Sequence, residues 1–178
     1  TTYGWSLWST DGTPAGTSVF FAPQVADPSA QVRNVHTAGD RLYVEVYTPT
    51  FGNEMYVTDG VSPPTLVVDF NPGFATGWNS FVGFLAVGQG RLAVTTMRRT
   101  NSIGDEPCVT DGTAAGTQLL ADLAPGNLNS SSPREYTRLG GRILFSAQDN
   151  GFTGRELYSL DVAGLDAAEA DAYGTGCA

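Results

Sequence analysis

The chain reads as all-β: a β-propeller-like array of four-stranded antiparallel blades, with about 3.5 repeats of ~50 residues. Three observations carry that reading. Two independent phrases return with one period. The segments between turns are rich in β-branched and aromatic residues. No stretch of useful length repeats with the 3.6-residue helical period.

The first phrase is SLWSTDGTPAGTSVF from Ser6. It returns as EMYVTDGVSPPTLVV from Glu54, EPCVTDGTAAGTQLL from Glu106 and ELYSLDVAGL from Glu156. Its aspartates, Asp11, Asp59, Asp111 and Asp161, lie 48, 52 and 50 residues apart. The second phrase is GDRLYVEV from Gly39, QGRLAVTT from Gln89 and GGRILFSA from Gly140. Its arginines, Arg41, Arg91 and Arg142, lie 50 and 51 residues apart.

Within one period each element has a local reason. LWST, DGTPAGT and SVFF read as strand, turn and strand, because Gly accepts positive φ and an Asp side chain bonds amides two residues on. LYVEVY (42–47) and ILFSA (143–147) suit a pleated, half-buried surface. DFNPGFATG (69–77) and DLAPGNLNSSSP (122–133) are connections, each followed by a shorter strand before the Gly-Arg phrase. Counted this way, the chain holds two strands before Val25, four in each middle repeat and three at the end, 13 in all. The repeat domain occupies residues 1–162, and 163–178 form an acidic Ala/Gly-rich tail or linker to a further segment. DAAEADA (166–172) is the one candidate for a helical turn. Thr1 reads as the start of a processed, trimmed or engineered chain, since neither an initiator Met nor a signal-like segment precedes it.

Composition bounds the function. A chain of 178 residues with 41% hydrophobic residues can bury roughly 70% of its unfolded surface, which excludes disorder. No apolar run approaches the ~20 residues of a membrane span. Eighteen acidic residues face nine arginines and no lysine, a net charge of −9 that repels phosphate backbones and anionic lipid. Nucleic acid and membrane insertion are therefore not expected.

The repeated phrase resembles the ELWxxDGTxxGT signature of a family of bacterial repeat proteins. Copies at Ser6 and Glu106 follow it closely, the copy at Glu54 has VSPPT in place of TxxGT, and the copy at Glu156 lacks Asp-Gly-Thr. The resemblance spans residues 5 to 161. It implies a propeller-like module, secreted or on the bacterial surface, and brings no catalytic residues. The turn also resembles the Asp-box hairpin of other propellers, whose Asp is structural. YGTGC in the tail resembles the start of a separate C-terminal segment of some secreted bacterial proteins. Propellers use four or more blades. The chain therefore closes by pairing its terminal strands, by meeting a second copy, or by continuing as a longer array.

Each candidate site has a bland reading beside a sharp one. The turn residues Asp11, Gly12, Asp59, Gly60, Asp111, Gly112 and Asp161 are read as structural, with calcium at Asp11, Asp59 and Asp111 as the alternative. Glu54, Glu106 and Glu156 recur with Arg41, Arg91 and Arg142, so ion pairing within or between blades is expected. Trp8, Tyr56 and Tyr158 share one position of the phrase and are read as core, whereas Trp5 and Trp78 fall outside it as candidate ligand contacts. Cys108 and Cys177 form a disulfide or stay as two thiols. His36 is the only histidine, which excludes HExxH and multi-histidine metal sites, and no GxSxG is present. Asn129-Ser130-Ser131 is read as a chance match to a glycosylation acceptor.

The expected function is a non-catalytic structural or protein-interaction module of a secreted or cell-surface bacterial protein, without cofactor. Its partners would be a larger extracellular assembly or a second copy completing a propeller. The alternative is a lectin-like propeller binding polysaccharide through aromatic loop residues. An enzyme built on a carboxylate pair is a third reading, for which no pair stands out.

Overall fold

The computed structural model describes residues 5–69, 84–88, 91–95, 104–126, 129–149 and 154–161. Among these are 13 strands in four antiparallel sheets and one turn of 3-10 helix at Pro23–Val25. Sheet one holds β1 (Leu7–Ser9) and β2 (Ser18–Phe21). Sheet two is β3 (Gln31–Ala38), β4 (Arg41–Thr48), β5 (Gly52–Thr58) and β6 (Thr65–Leu66). Sheet three is β7 (Phe84–Gly88), β8 (Arg91–Thr95), β9 (Pro107–Thr110) and β10 (Gln118–Leu119). Sheet four is β11 (Arg134–Leu139), β12 (Arg142–Gln148) and β13 (Arg155–Asp161). Each is a meander whose neighbours in sequence are neighbours in space. By the repeated phrases, sheet one corresponds to the third and fourth strands of the unit, and sheet four to its first three.

The first strands lie side by side, β3 next to β7 and β7 next to β11. Each of the three carries a register irregularity, between Val32 and Val35, between Ala86 and Gly88, and between Arg134 and Thr137. Such bulges bend a strand and increase its twist. Two of them are pinned by equivalent positions with the donor exchanged. Asn34 Nδ2 donates to Glu45 Oε2 at 2.5 Å, whereas Ser146 Oγ donates to Glu135 Oε2 at 3.1 Å.

Three apolar cores alternate with the sheets, because side chains of a strand point to opposite faces in turn. Between sheets one and two, Val32, Val44 and Val46 pack with Leu7, Phe21, Leu42 and Tyr56. Between sheets two and three lie Ala38, Tyr43, Met55, Val67, Cys108 and Leu119. Between sheets three and four, Val109, Ile143, Phe145 and Ala147 pack with Leu120, Tyr136, Tyr158 and Leu160. Phe145 stacks on Tyr136 at 5.1 Å and on Tyr158 at 5.7 Å. Strand β4 is consequently buried on both faces, from Tyr43 to Val46. The order of stacking is the order of the sequence. Among the described residues β1 pairs only with β2 and β13 only with β12, so no pairing of terminal strands closes the stack.

The divergent second copy shifts register by one residue. In the first and third hairpins Trp8 faces Val19 and Cys108 faces Leu119. In the second, Tyr56 faces Leu66 rather than Val67. A slip of one turns each side chain to the other face. Val67 therefore joins the core toward sheet three, while the equivalent Leu119 fills the same core from sheet three's side.

Met55 is 1% exposed at the centre of the core between sheets two and three. Met55→Ala is expected to destabilise the chain by about 2–5 kcal/mol, read from urea unfolding.

Candidate functional site

The most repeated chemistry in the chain is the turn that joins the last two strands of a unit. Asp11 Oδ1 accepts hydrogen bonds from the Thr13 amide at 2.8 Å and the Thr13 hydroxyl at 2.8 Å. Asp111 Oδ1 accepts the same pair from Thr113, at 2.8 and 2.7 Å. Thr10 and Thr110 Oγ1 accept from the amides of Gly12 and Gly112, both at 3.0 Å. Thr17 and Thr117 then close the turn, each donating to the carbonyl of the residue four earlier at 2.6 Å. The final glycine is a steric requirement. An added Cβ at Gly16 or Gly116 would stand 2.1 or 2.2 Å from the aspartate Cγ of its own turn. Every residue type in TDGTxxGT thus has a place in one hydrogen-bonded loop.

The copy at Asp59 solves the same problem with other residues. Pro64 stands where the glycine would be, and Asp59 Oδ1 accepts from the amides of Val61 and Ser62 at 2.9 and 2.8 Å. Hydrogen bonds from Thr13 hold the exposed Asp11 carboxyl below the usual carboxylate range, and the Ser62 and Val61 amides do so for Asp59. Asp161 ends β13 and is exposed. Among the described residues no three His, Cys, Asp or Glu side chains gather as a metal site.

The repeated arginine and the repeated turn meet across sheets. Arg41 opens β4, and an added Cβ at Gly112 of sheet three would lie 2.9 Å from Arg41 Nη1, 3.0 Å from Val57 and 3.3 Å from the Tyr43 hydroxyl. Burial pushes the Tyr43 hydroxyl up, Arg41 pulls it back, and Asp111 and Asp40 raise it again. The turn of one sheet therefore sits on the arginine edge of the sheet before it. Arg142 opens β12, is exposed, and donates to Ser159 Oγ at 3.0 Å. Arg91 opens β8, with its side chain outside the described residues.

The repeated glutamates diverge. Glu106 is 1% exposed and binds the connection that leads into sheet four. Its Oε1 accepts from the Ser131 amide at 2.9 Å, and its Oε2 from the Ser131 hydroxyl at 2.5 Å and the Leu123 amide at 3.0 Å. Burial pushes this carboxyl above its ordinary value, against the hydrogen bonds of Ser131 and Leu123. Glu54 is fully buried in β5, and Glu156 is exposed in β13. Residue composition alone did not point to Ser131, in a run of three serines, as the partner of a buried carboxylate. Nor does the sequence period single out Arg155. Its Nη2 donates to the carbonyls of Ser132 and Ser146 at 2.7 and 3.0 Å, fastening β13 to both segments.

The remaining candidates are scattered. Trp5 is 66% exposed, with its carbonyl held by Gln24 Nε2 and the Val32 amide. Trp8, expected in the core, is 52% exposed, because among the described residues no sheet covers that face of sheet one. Trp78 lies outside the described residues. His36 is half-buried in β3 opposite Tyr43, and burial pushes its pKa down. Cys108 is buried and disulfide-bonded; Cys177, the only other cysteine of the sequence, lies outside the described residues. A shallow cleft of about 290 Å³ lies between Arg41 and the Asp59 turn and is lined by Val57, Ser62, Pro63 and Thr65.

No family profile matches the chain. No curated protein matches it. Among solved structures it is similar to puromycin hydrolase, and to a serine-to-alanine mutant of that protein complexed with PGG. Each likeness has a TM-score of 0.56 at 16% identity, over 89% of this chain and 23% of the other. The chain thus spans about a quarter of the length of those proteins, and the likeness is one of fold.

Two outcomes test the turn and the glutamate. Gly112→Ala meets Arg41 and Val57 in addition to its strained φ of 86°, whereas Gly60, with φ 82°, has nothing within 4 Å. Gly60→Ala is expected to cost about 1 kcal/mol and Gly112→Ala measurably more, compared by thermal unfolding. For Glu106, a raised carboxyl pKa means that the folded state binds the proton more tightly, so its contribution to stability is full at low pH and lost as pH rises through the folded pKa. The stability difference between Glu106→Gln and the parent chain is therefore expected to move in favour of the variant from about pH 4 to about pH 7.

Proposed function

We propose that the chain is a β-propeller-type repeat module of the ELWxxDGT class, with a non-catalytic structural or protein-interaction role in a secreted or cell-surface bacterial protein. The observation that carries this reading is the use to which the repeated residues are put. Asp11, Asp59 and Asp111 bind their own turns, Arg41 meets the turn of the following sheet, and Glu106 holds a connection. The residues that recur serve the architecture. The adjacency of β3, β7 and β11 supports blades arranged about an axis lined by their first strands. Stacked sheets of this kind present regular, extended surfaces to a partner.

A second reading rests on Trp5, which is exposed beside the 3-10 turn that carries Gln24. A flat ring in that position offers a platform to the apolar face of a sugar.

The likeness to puromycin hydrolase supplies the direct test of the non-catalytic reading. Incubated with puromycin, the chain is expected to return it unchanged by mass spectrometry. Turnover that is abolished in His36→Ala would overturn the reading. Retention on immobilised polysaccharide, lost in Trp5→Ala with the fold intact by circular dichroism, would establish the second reading instead.

A further inference from the structure

The tight turn of each unit is built on a chemically fragile pair. Its first corner needs a hydrogen-bond acceptor and the next needs a positive φ. Aspartate is therefore followed by glycine at 11–12, 59–60 and 111–112, with φ of 91°, 82° and 86° at Gly12, Gly60 and Gly112. In an Asp-Gly pair the glycine amide nitrogen, with no side chain to hinder it, can attack the aspartate Cγ. The C–N bond forms as the nitrogen gives up its proton and the carboxyl hydroxyl leaves as water. Water then opens the cyclic imide at either carbonyl. Opening at the Cγ carbonyl restores aspartate. Opening at the backbone carbonyl leaves isoaspartate, with the chain running through Cγ and longer by one carbon. Such a change in a hairpin turn moves the strands it joins out of register.

Both reacting groups are restrained in all three turns. The nucleophile is occupied: the amides of Gly12, Gly60 and Gly112 donate to the hydroxyls of Thr10, Thr58 and Thr110 at 3.0, 2.9 and 3.0 Å. The electrophile is anchored: Asp11 and Asp111 are held by the amide and hydroxyl of Thr13 and Thr113, and Asp59 by the amides of Val61 and Ser62. Gly16 and Gly116 lie so close to the carboxyls of Asp11 and Asp111 that neither leaves room for a Cβ. The same hydrogen bonds hold the Asp11 and Asp59 carboxyls below the usual range, so the neutral acid, the form that loses water, is scarcer there. The sequence has the matching pattern. Each of the three Asp-Gly pairs follows a threonine, whereas Asp161, the fourth aspartate of the period, is followed by Val162 and preceded by Leu160.

We propose that Asp11, Asp59 and Asp111 are latent isoaspartate modification sites that the folded turn keeps closed, with the threonine before each one withholding the glycine nitrogen from its neighbour's carboxyl. Thr10, Thr58 and Thr110 thus have a protective role beside their structural one. Asp11 and Asp59 are exposed and Asp111 is half-buried, so water for the hydrolytic step is at hand and the restraint falls on the cyclisation. None of this depends on what the chain binds.

The test is to incubate the full chain at neutral pH and body temperature, native and in urea, and to follow isoaspartate by tryptic mapping with electron-transfer fragmentation. Cleavage after arginine puts the three aspartates in separate peptides, and apart from Asn150-Gly151, which gives the same product by loss of ammonia. The native chain is expected to accumulate isoaspartate severalfold more slowly than the unfolded chain at all three sites. Thr10→Val is expected to raise the rate severalfold at Asp11 alone, with Asp59 and Asp111 as internal controls, and Thr10→Ser to keep the parent rate. Thr17→Val removes the bonds of Thr17 to Thr10 and to the Thr13 carbonyl but leaves the Gly12 amide on Thr10, and is expected to leave Asp11 at the parent rate. Equal rates in the native and unfolded chain overturn the proposal. So does a Thr10→Val chain that stays folded with Asp11 unchanged, or a Thr17→Val chain that reacts at Asp11 as fast as Thr10→Val. Should Thr10→Val unfold, seen as a rise at all three sites together, Thr110→Val read at Asp111 and the ratio of native to unfolded rates in the parent decide the matter by the same criteria.

Discussion

Strand β4 has Tyr43 and Glu45 on one face and Val44 and Val46 on the other, all buried, and such a strand is stable only between two other sheets. That requirement organises the molecule. Each sheet supplies the cover for its neighbours, and the three cores follow one another in the order of the sequence. A unit of this kind cannot bury its apolar surface alone, which is why the period recurs rather than appearing once. Trp8 and Leu157 are exposed on faces of sheets one and four that no other sheet covers among the described residues.

The turns solve a different problem. A sharp connection between short strands leaves amides without partners, and unpaired amides are costly unless water reaches them. Thr10, Asp11, Thr13 and Thr17 satisfy these groups from within the loop, and Thr110, Asp111, Thr113 and Thr117 repeat the arrangement. The turn therefore asks nothing of its surroundings except room for its glycine, and Arg41 uses that room at Gly112. Copy two, with prolines in the loop, keeps the aspartate and threonine bonds while moving its strand by one residue.

Much of this was legible from the sequence, for reasons that are local. Period-two strands and Asp-Gly turns are set by residues within ten positions of each other, so the strands of each sheet follow from the turns that bound them. Tyr56 and Tyr158, equivalent in the phrase, each pack half-buried against a core. Trp8 has the same sequence signal and a different outcome, because exposure depends on what packs against that face, and among the described residues no sheet does. The partner of Glu106 was not readable either. Ser131 lies 25 residues away, and which amide a buried carboxylate reaches is decided by how a connection folds back. Nor does one chain's period reveal a one-residue slip in β6, since the substitution of Pro for Gly marks a change without stating its size.

The self-contained turns have a consequence for how the chain acquires its structure. In TDGTPAGT and TDGTAAGT, all the loop hydrogen bonds link residues two to seven apart. Hairpins closed by such short loops form in about 1–10 μs, well before contacts between distant segments are found. Each hairpin then presents a two-stranded edge onto which the earlier strands of its unit can add in register. Folding of this kind proceeds outward from several equivalent seeds, and a sheet can assemble before the sheets beside it exist. The order in which the sheets dock is then free, while the register within each is already decided.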